Sequence, residues 1–85
     1  MRAIEREAVA AFNANKNFSK SNMRVEVTSR EVNVYLFGNL IVCKDRRTDE
    51  VSYSSAGWDT ATTASRLRAF GADAHIKNGE LIINQ

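Results

Sequence analysis

"VEVTSREVNVYLFGNLIVC", residues 25–43, decides the fold. Val25 and Val27 alternate with charged residues, and Val32, Val34 and Leu36 resume the same two-residue period after Ser29-Arg30. A period of two is that of a strand with one buried face. A two-residue turn at Ser29-Arg30 sets Val27 opposite Val32 and Val25 opposite Val34, which gathers every valine on one side of a hairpin. A second turn at Gly38-Asn39 would set Leu36 opposite Ile41 and Val34 opposite Cys43, adding a third strand. The other face then carries Tyr35, Phe37, Leu40 and Val42, which is more apolar surface than a strand facing water shows. It calls for a cover: the N-terminal helix on one face and the second helix on the other, or a second copy of the chain.

Outward from this core, "EVSYS" supplies a short fourth strand. "DAHIKNGELIINQ" is a terminal hairpin whose Asn78-Gly79 is the strongest two-residue turn signal present. On the N-terminal side, Ile4, Ala8, Ala11 and Phe12 fall at helical spacing over residues 3–14, with Glu5 and Glu7 near the positive end of the helix dipole. "NANKNFSKSN" breaks that period with turn-forming residues and reads as a connection, pinned by Phe18. The expectation is an α+β domain: an N-terminal helix, a four-strand antiparallel meander, a second helix and a C-terminal β-hairpin. It spans residues 1–85 as one domain, with helix and connection in 1–22 and the rest in 23–85.

At 85 residues the core is thin, and a deep catalytic cleft is not expected. The 44% hydrophobic and 26% charged content is that of an ordinary globular domain. A net charge of +2 does not by itself argue for a nucleic acid or a membrane. The run "KDRRTDE" mixes signs and reads as a solvated turn. One cysteine, Cys43 in "LIVC", excludes an internal disulfide and reads as a buried strand residue. The charged N-terminus has no apolar leader, and no run approaches the roughly 18 apolar residues of a membrane span. The chain is therefore expected to be soluble and cytoplasmic.

The segment "AGWDTATTASRLRAFG", residues 56–71, builds the second helix over residues 59–70. Asp59 or Thr60 caps its start, and Gly71 sits where a left-handed residue ends it. At 100° per residue, Thr60, Thr63, Ala64, Leu67 and Phe70 face inward, Thr62, Ser65, Arg66 and Ala69 face outward, and Arg68 lies at the flank. Trp58, Leu67 and Phe70 are expected as structural anchors, with Trp58 mostly buried. Thr62, Ser65, Arg66 and Arg68 are the expected partner surface, because a planar guanidinium suits interfaces and phosphates alike. Tyr35 and Phe37 offer a second surface.

Catalytic constellations are missing. His75 with Asp73 makes two ligands, not a metal site. Cys43 has no activating context, and Glu26 and Glu31 flank a wet turn. The chain is expected to be no enzyme and to use no cofactor or metal.

Gly38, Asn39 and Ile41, followed by Gly57, Trp58, Thr60, Thr62, Thr63, Arg66 and Leu67, spell a "GN-x-I" hairpin and a "GW-x-T-x-TT-x-x-RL" helix start. This pattern resembles a group of small bacteriophage proteins over residues 32–85; they often carry Asn where this chain has Arg68. The resemblance implies a phage origin and the host cytoplasm as the place of action. Phage proteins this small commonly bind and redirect host machinery, so the function expected is binding and inhibition of a host protein or nucleoprotein complex. A defence system is the favoured target, as for an anti-CRISPR protein. The alternative is a nucleic-acid-binding module contacting phosphates through Arg66, Arg68, Arg46, Arg47 and Lys44. A homodimeric accessory protein is a third class.

Overall fold

The computed structural model describes residues 2–84. The chain runs α1 (Ala3–Asn13), β1 (Phe18–Lys20), β2 (Met23–Val27), β3 (Glu31–Leu36), β4 (Asn39–Asp45), β5 (Val51–Tyr53), α2 (Ala61–Ala69), β6 (Asp73–Lys77) and β7 (Glu80–Asn84). The fold is α+β, as the alternation and helical spacing predict. The first five strands form one antiparallel sheet in sequence order, and β6 and β7 form a separate hairpin. The meander has five strands rather than four. Phe18–Lys20, read as connection, pairs with β2 and sets Phe18 opposite Val25. Three residues with one apolar side chain are too short to display a period.

Val25 does pair with Val34, and Val27 with Val32. The next hairpin departs from the expected register. Its turn is Phe37-Gly38, with φ of 51° and 79°, the two positive values a type I′ turn requires. Leu36 therefore faces Asn39, and a register shift at Val34/Tyr35 brings Val42, not Cys43, opposite Val34. The shift bulges β4 at Ile41, so that two successive residues, Ile41 and Val42, are both buried. Val42 thus belongs to the core and not to the opposite face.

Both helices cover the same side of the sheet. Ala8 and Phe12 of α1 and Leu67 of α2 share one core with Val25, Val32, Val34 and Val42, and Phe70 meets Phe12 edge-on at 5.2 Å. The expected division of one helix per face does not occur. Arg24, Glu26 and Glu31 are exposed on the far face, where Tyr35 and Cys43 are half-buried. At the end of α1, Lys44 donates to the Phe12 carbonyl at 3.0 Å and lies over its ring, adding to the Asn15 N–H that the same carbonyl accepts at 3.3 Å and answering the negative end of the dipole. Thr60 caps α2 by accepting from the Thr63 N–H. Gly71 follows with φ 97°, and a Cβ there would stand 3.3 Å from the Tyr53 hydroxyl. Asn78-Gly79 is the turn of the last hairpin, again with two positive φ values.

A buried ion pair joins the helices. Glu5 accepts from the Arg66 guanidinium at 2.7 Å and from the Ser65 hydroxyl at 2.8 Å, and its other oxygen accepts the Arg2 N–H. Burial alone would raise the Glu5 pKa, but the Arg2, Arg66 and Ser65 donors outweigh it and hold the carboxyl below its ordinary value of 4.5. A carboxylate whose folded pKa is depressed contributes stability that is fully present above its unfolded pKa and lost as pH falls through the folded one. The melting temperature is therefore expected to drop as pH falls below about 4.5, and Glu5→Gln should make that decline shallower. Thermal melts across pH 3 to 7 check it; equal acid slopes in the two chains would contradict it.

Candidate protein-binding cleft

The turn after β3 and the loop before α2 meet at one end of the sheet. At the turn, the Phe37 N–H donates to the Asn22 carbonyl at 2.9 Å, and Asn39 donates back to the Phe37 carbonyl at 3.3 Å. In the loop, the Trp58 N–H donates to the Ser55 carbonyl at 2.9 Å, while Ser54 and Ser55 hydroxyls accept the Ala56 and Gly57 N–H groups. Each segment holds a non-glycine residue in the left-handed region, Phe37 at φ 51° and Ala56 at φ 54°. For a bulky aromatic that conformation is costly, and the surrounding bonds must enforce it.

Between them lies a cavity of about 200 Å³. Buried Leu36, Ile41 and Thr63 line its inside, and Phe37 and Trp58 stand at its rim. Phe37 is 68% exposed and Trp58 55%. This corrects the expectation that Trp58 is a buried anchor: the tight loop leaves most of the indole in solvent, and α2 is fixed instead by Leu67 and Phe70. The volume is below the roughly 300–1,000 Å³ of small-molecule sites and suits one large side chain.

The expected partner surface on α2 divides. Thr62 lines the cleft. Ser65 and Arg66 turn inward to Glu5, and Arg66 is 3% exposed. The outward placement of Arg66 is thereby corrected: Glu5, on another helix, compensates its burial. Arg68 is exposed, though its guanidinium donates to the Ala74 carbonyl at 3.0 Å. Tyr35 sits apart on the uncovered sheet face, with the Arg24 guanidinium 4.4 Å above its ring.

The residues assigned to phosphate contact are scattered. Arg66 is paired, Lys44 lies on Phe12, Arg46 donates to the Thr28 carbonyl at 2.7 Å, and Arg47 is exposed in the turn of residues 45–50. Cys43 is half-buried rather than buried. Burial, a hydrogen bond to Glu31 at 3.2 Å, and the charges of Glu31 and Asp45 push its thiol up to about 11, so it stays protonated and unreactive near neutral pH. Asp73 and His75 are both exposed. No group of three His, Cys, Asp or Glu side chains stands in metal-binding range among the described residues.

One signal for the cleft lies in the chain itself. Residues 32–43 contain no charge and residues 51–65 contain only Asp59, although the chain holds twelve Lys and Arg and ten Asp and Glu. The two charge-poor segments are those that fold together around the cleft. Depletion of charge with aromatic enrichment is the composition of an interface centre.

Among the described residues no helix is long and apolar enough to cross a membrane. No curated protein and no solved structure matches the chain. The profile of one protein family, Kyanoviridae Gp96 protein, matches residues 1–85, including the α1 segment that the phage-like pattern leaves out. The chain therefore belongs to the Kyanoviridae Gp96 family of phage proteins.

Proposed function

We propose that this phage protein is a non-catalytic effector that works by protein–protein contact, seating the Phe37–Trp58 cleft on a host protein or nucleoprotein complex and inhibiting or redirecting it. The target class proposed with it is a host defence complex, in the manner of an anti-CRISPR protein, and that part rests on the resemblance to small phage proteins alone. The observation that carries the reading is the pair of exposed aromatics around an apolar cavity, at the charge-poor end of an otherwise well-charged chain. Trp and Tyr-like rings in desolvated pockets dominate binding energy at interfaces, whereas solvation favours charged residues at such positions. The size of the cavity and the protonated Cys43 thiol both favour binding over chemistry. The dispersal of Arg46, Arg47, Arg66 and Arg68 disfavours phosphate recognition, which needs basic groups along one face.

Affinity purification from infected host cells tests this, using the parent chain and a Phe37→Ser, Trp58→Ser double variant, each with and without nuclease. The parent is expected to retain a host protein after nuclease treatment, and the variant to lose it while keeping its melting temperature within a few degrees. Recovery that vanishes with nuclease would favour the nucleic-acid reading. Equal recovery by both chains would remove the cleft from the function.

A further inference from the structure

We infer that one end of the uncovered sheet face holds a binding cleft for a single nucleoside phosphate, with Arg24, Ser19 and Ser21 on the phosphate and the Phe37 ring against the base. This cleft shares only Phe37 with the Phe37–Trp58 cavity. Its volume of about 400 Å³ falls within the roughly 300–1,000 Å³ of small-molecule sites, which that of the apolar cavity does not. Two turns and one cross-strand row build it. Ser21 and Asn22 join β1 to β2, Phe37 and Gly38 join β3 to β4, and the Phe37 N–H ties the turns together by donating to the Asn22 carbonyl at 2.9 Å. Arg24 stands between Ser19 of β1 and Tyr35 of β3.

The lining selects an oxyanion. None of the residues around the cleft is acidic, and the exposed Arg24 guanidinium forms no ion pair with any described carboxylate. It lies 4.4 Å from the centre of the Tyr35 ring. A guanidinium steadied by a ring loses little freedom when its donor fork takes a phosphate, and the Ser19 and Ser21 hydroxyls add donors for the remaining oxygens. The rest of the lining suits a base. Phe37, 68% exposed, offers a flat apolar ring, and stacking on such a ring holds any nucleobase. The Asn22 amide oxygen is buried without a donor, so the amide gains a bond by turning toward the N–H edge of a base.

Charge restricts the ligand to one phosphate rather than a nucleic-acid backbone. Lys20, the nearest cation on β1, is paired with Glu7 at 3.0 Å. Glu26 follows Arg24 on the same face, and at the far end Arg30 and Arg47 share a cleft with Glu31 and Asp45. A bound strand needs cations for successive phosphates, and beyond Arg24 this face supplies none that an acid does not accompany. With one cation in an open cleft, the dissociation constant is expected at about 0.1–1 mM.

The test is an amide NMR titration of the purified full-length chain with adenosine monophosphate, adenosine, inorganic phosphate and a short single-stranded oligonucleotide. With adenosine monophosphate, the signals of Ser21, Asn22, Arg24 and Phe37 are expected to shift together and saturate. Adenosine and inorganic phosphate should each bind about tenfold or more weakly, since each fills half of the cleft. Arg24→Gln should weaken adenosine monophosphate by about tenfold or more, and Phe37→Ser should reduce it to the affinity of inorganic phosphate, circular dichroism showing both folded. Arg47→Gln, which removes the same charge at the far end of the face, should leave binding unchanged. No saturable shift up to about 5 mM adenosine monophosphate, an affinity indifferent to Arg24→Gln, or inorganic phosphate bound as tightly as the nucleotide overturns the inference. So does an oligonucleotide bound about 100-fold tighter than the mononucleotide through the same residues, which would assign the face to nucleic acid. None of these results touches the host-binding reading, which stands or falls on co-purification.

Discussion

Arg66→Met is expected to cost about 3–5 kcal/mol of stability, the range for breaking a buried ion pair by removing one partner. Glu5 is 2% exposed and the pair is separated by 2.7 Å, so without the guanidinium a carboxylate is left in the interior with only the Ser65 hydroxyl and the Arg2 N–H to solvate it. A domain of this size has roughly 4–13 kcal/mol in total. The loss is therefore a large fraction of the whole, and the denaturation midpoint should fall accordingly. The pair need not be worth that much itself. Arg66 Nε is buried without a hydrogen-bond partner, an uncompensated cost that a well-packed neutral pair would not carry. Adding Glu5→Gln to Arg66→Met keeps the acceptor for Arg2 and removes the stranded charge, so the double variant should recover more than about 1 kcal/mol over Arg66→Met alone. Urea unfolding of the four chains of this cycle gives the coupling directly. An Arg66→Met chain within about 0.5 kcal/mol of the parent would mean that the guanidinium is in solvent after all.

That ion pair shows where sequence reasoning stops. The helical wheel of α2 correctly separates Leu67 and Phe70 from Ser65 and Arg66, yet the second group is not exposed. Its side faces α1, and a wheel shows which residues share a face without showing what that face meets. Glu5 lies 61 positions away, and nothing local marks it as the partner. The meander is legible because its signals are local: alternating valines and the Asn78-Gly79 turn specify pairing within a few residues. The β3–β4 hairpin lies between these cases. "LFGNL" admits a turn at Phe37-Gly38 or at Gly38-Asn39, and the first demands a positive φ of a phenylalanine, which propensity alone argues against. The bulge at Ile41 then lets both Ile41 and Val42 reach the core, a gain in burial that offsets the strained turn and that no two-residue period anticipates. The cleft follows from the same turn. Its composition, two charge-poor segments, is visible in the chain, but only the fold shows that the segments meet.

Truncating two aromatic rings should separate structure from binding. Phe70→Ala is expected to destabilise by about 3–5 kcal/mol, and Trp58→Ala, although it removes the larger side chain, by no more than about 1 kcal/mol. The difference is burial. Phe70 is 8% exposed, packs edge-to-face on Phe12 with an interplanar angle of 79°, and occupies the point where α1, α2 and the sheet converge. Its loss leaves a cavity that surrounding elements cannot close without moving both helices, and it weakens the seat of the Phe70 carbonyl that accepts the Tyr53 hydroxyl at 2.7 Å. Trp58 is 55% exposed and is held by backbone and serine hydrogen bonds that alanine keeps, so its removal mainly uncovers the cavity rim. Denaturant midpoints of the two variants, measured at one protein concentration, decide the matter. Should Trp58→Ala prove as damaging as Phe70→Ala, the indole is a strut of the fold and the cleft is not free to receive anything. If instead only Phe70→Ala unfolds, the chain keeps an exposed tryptophan that folding does not require, which is the condition the proposed cleft needs.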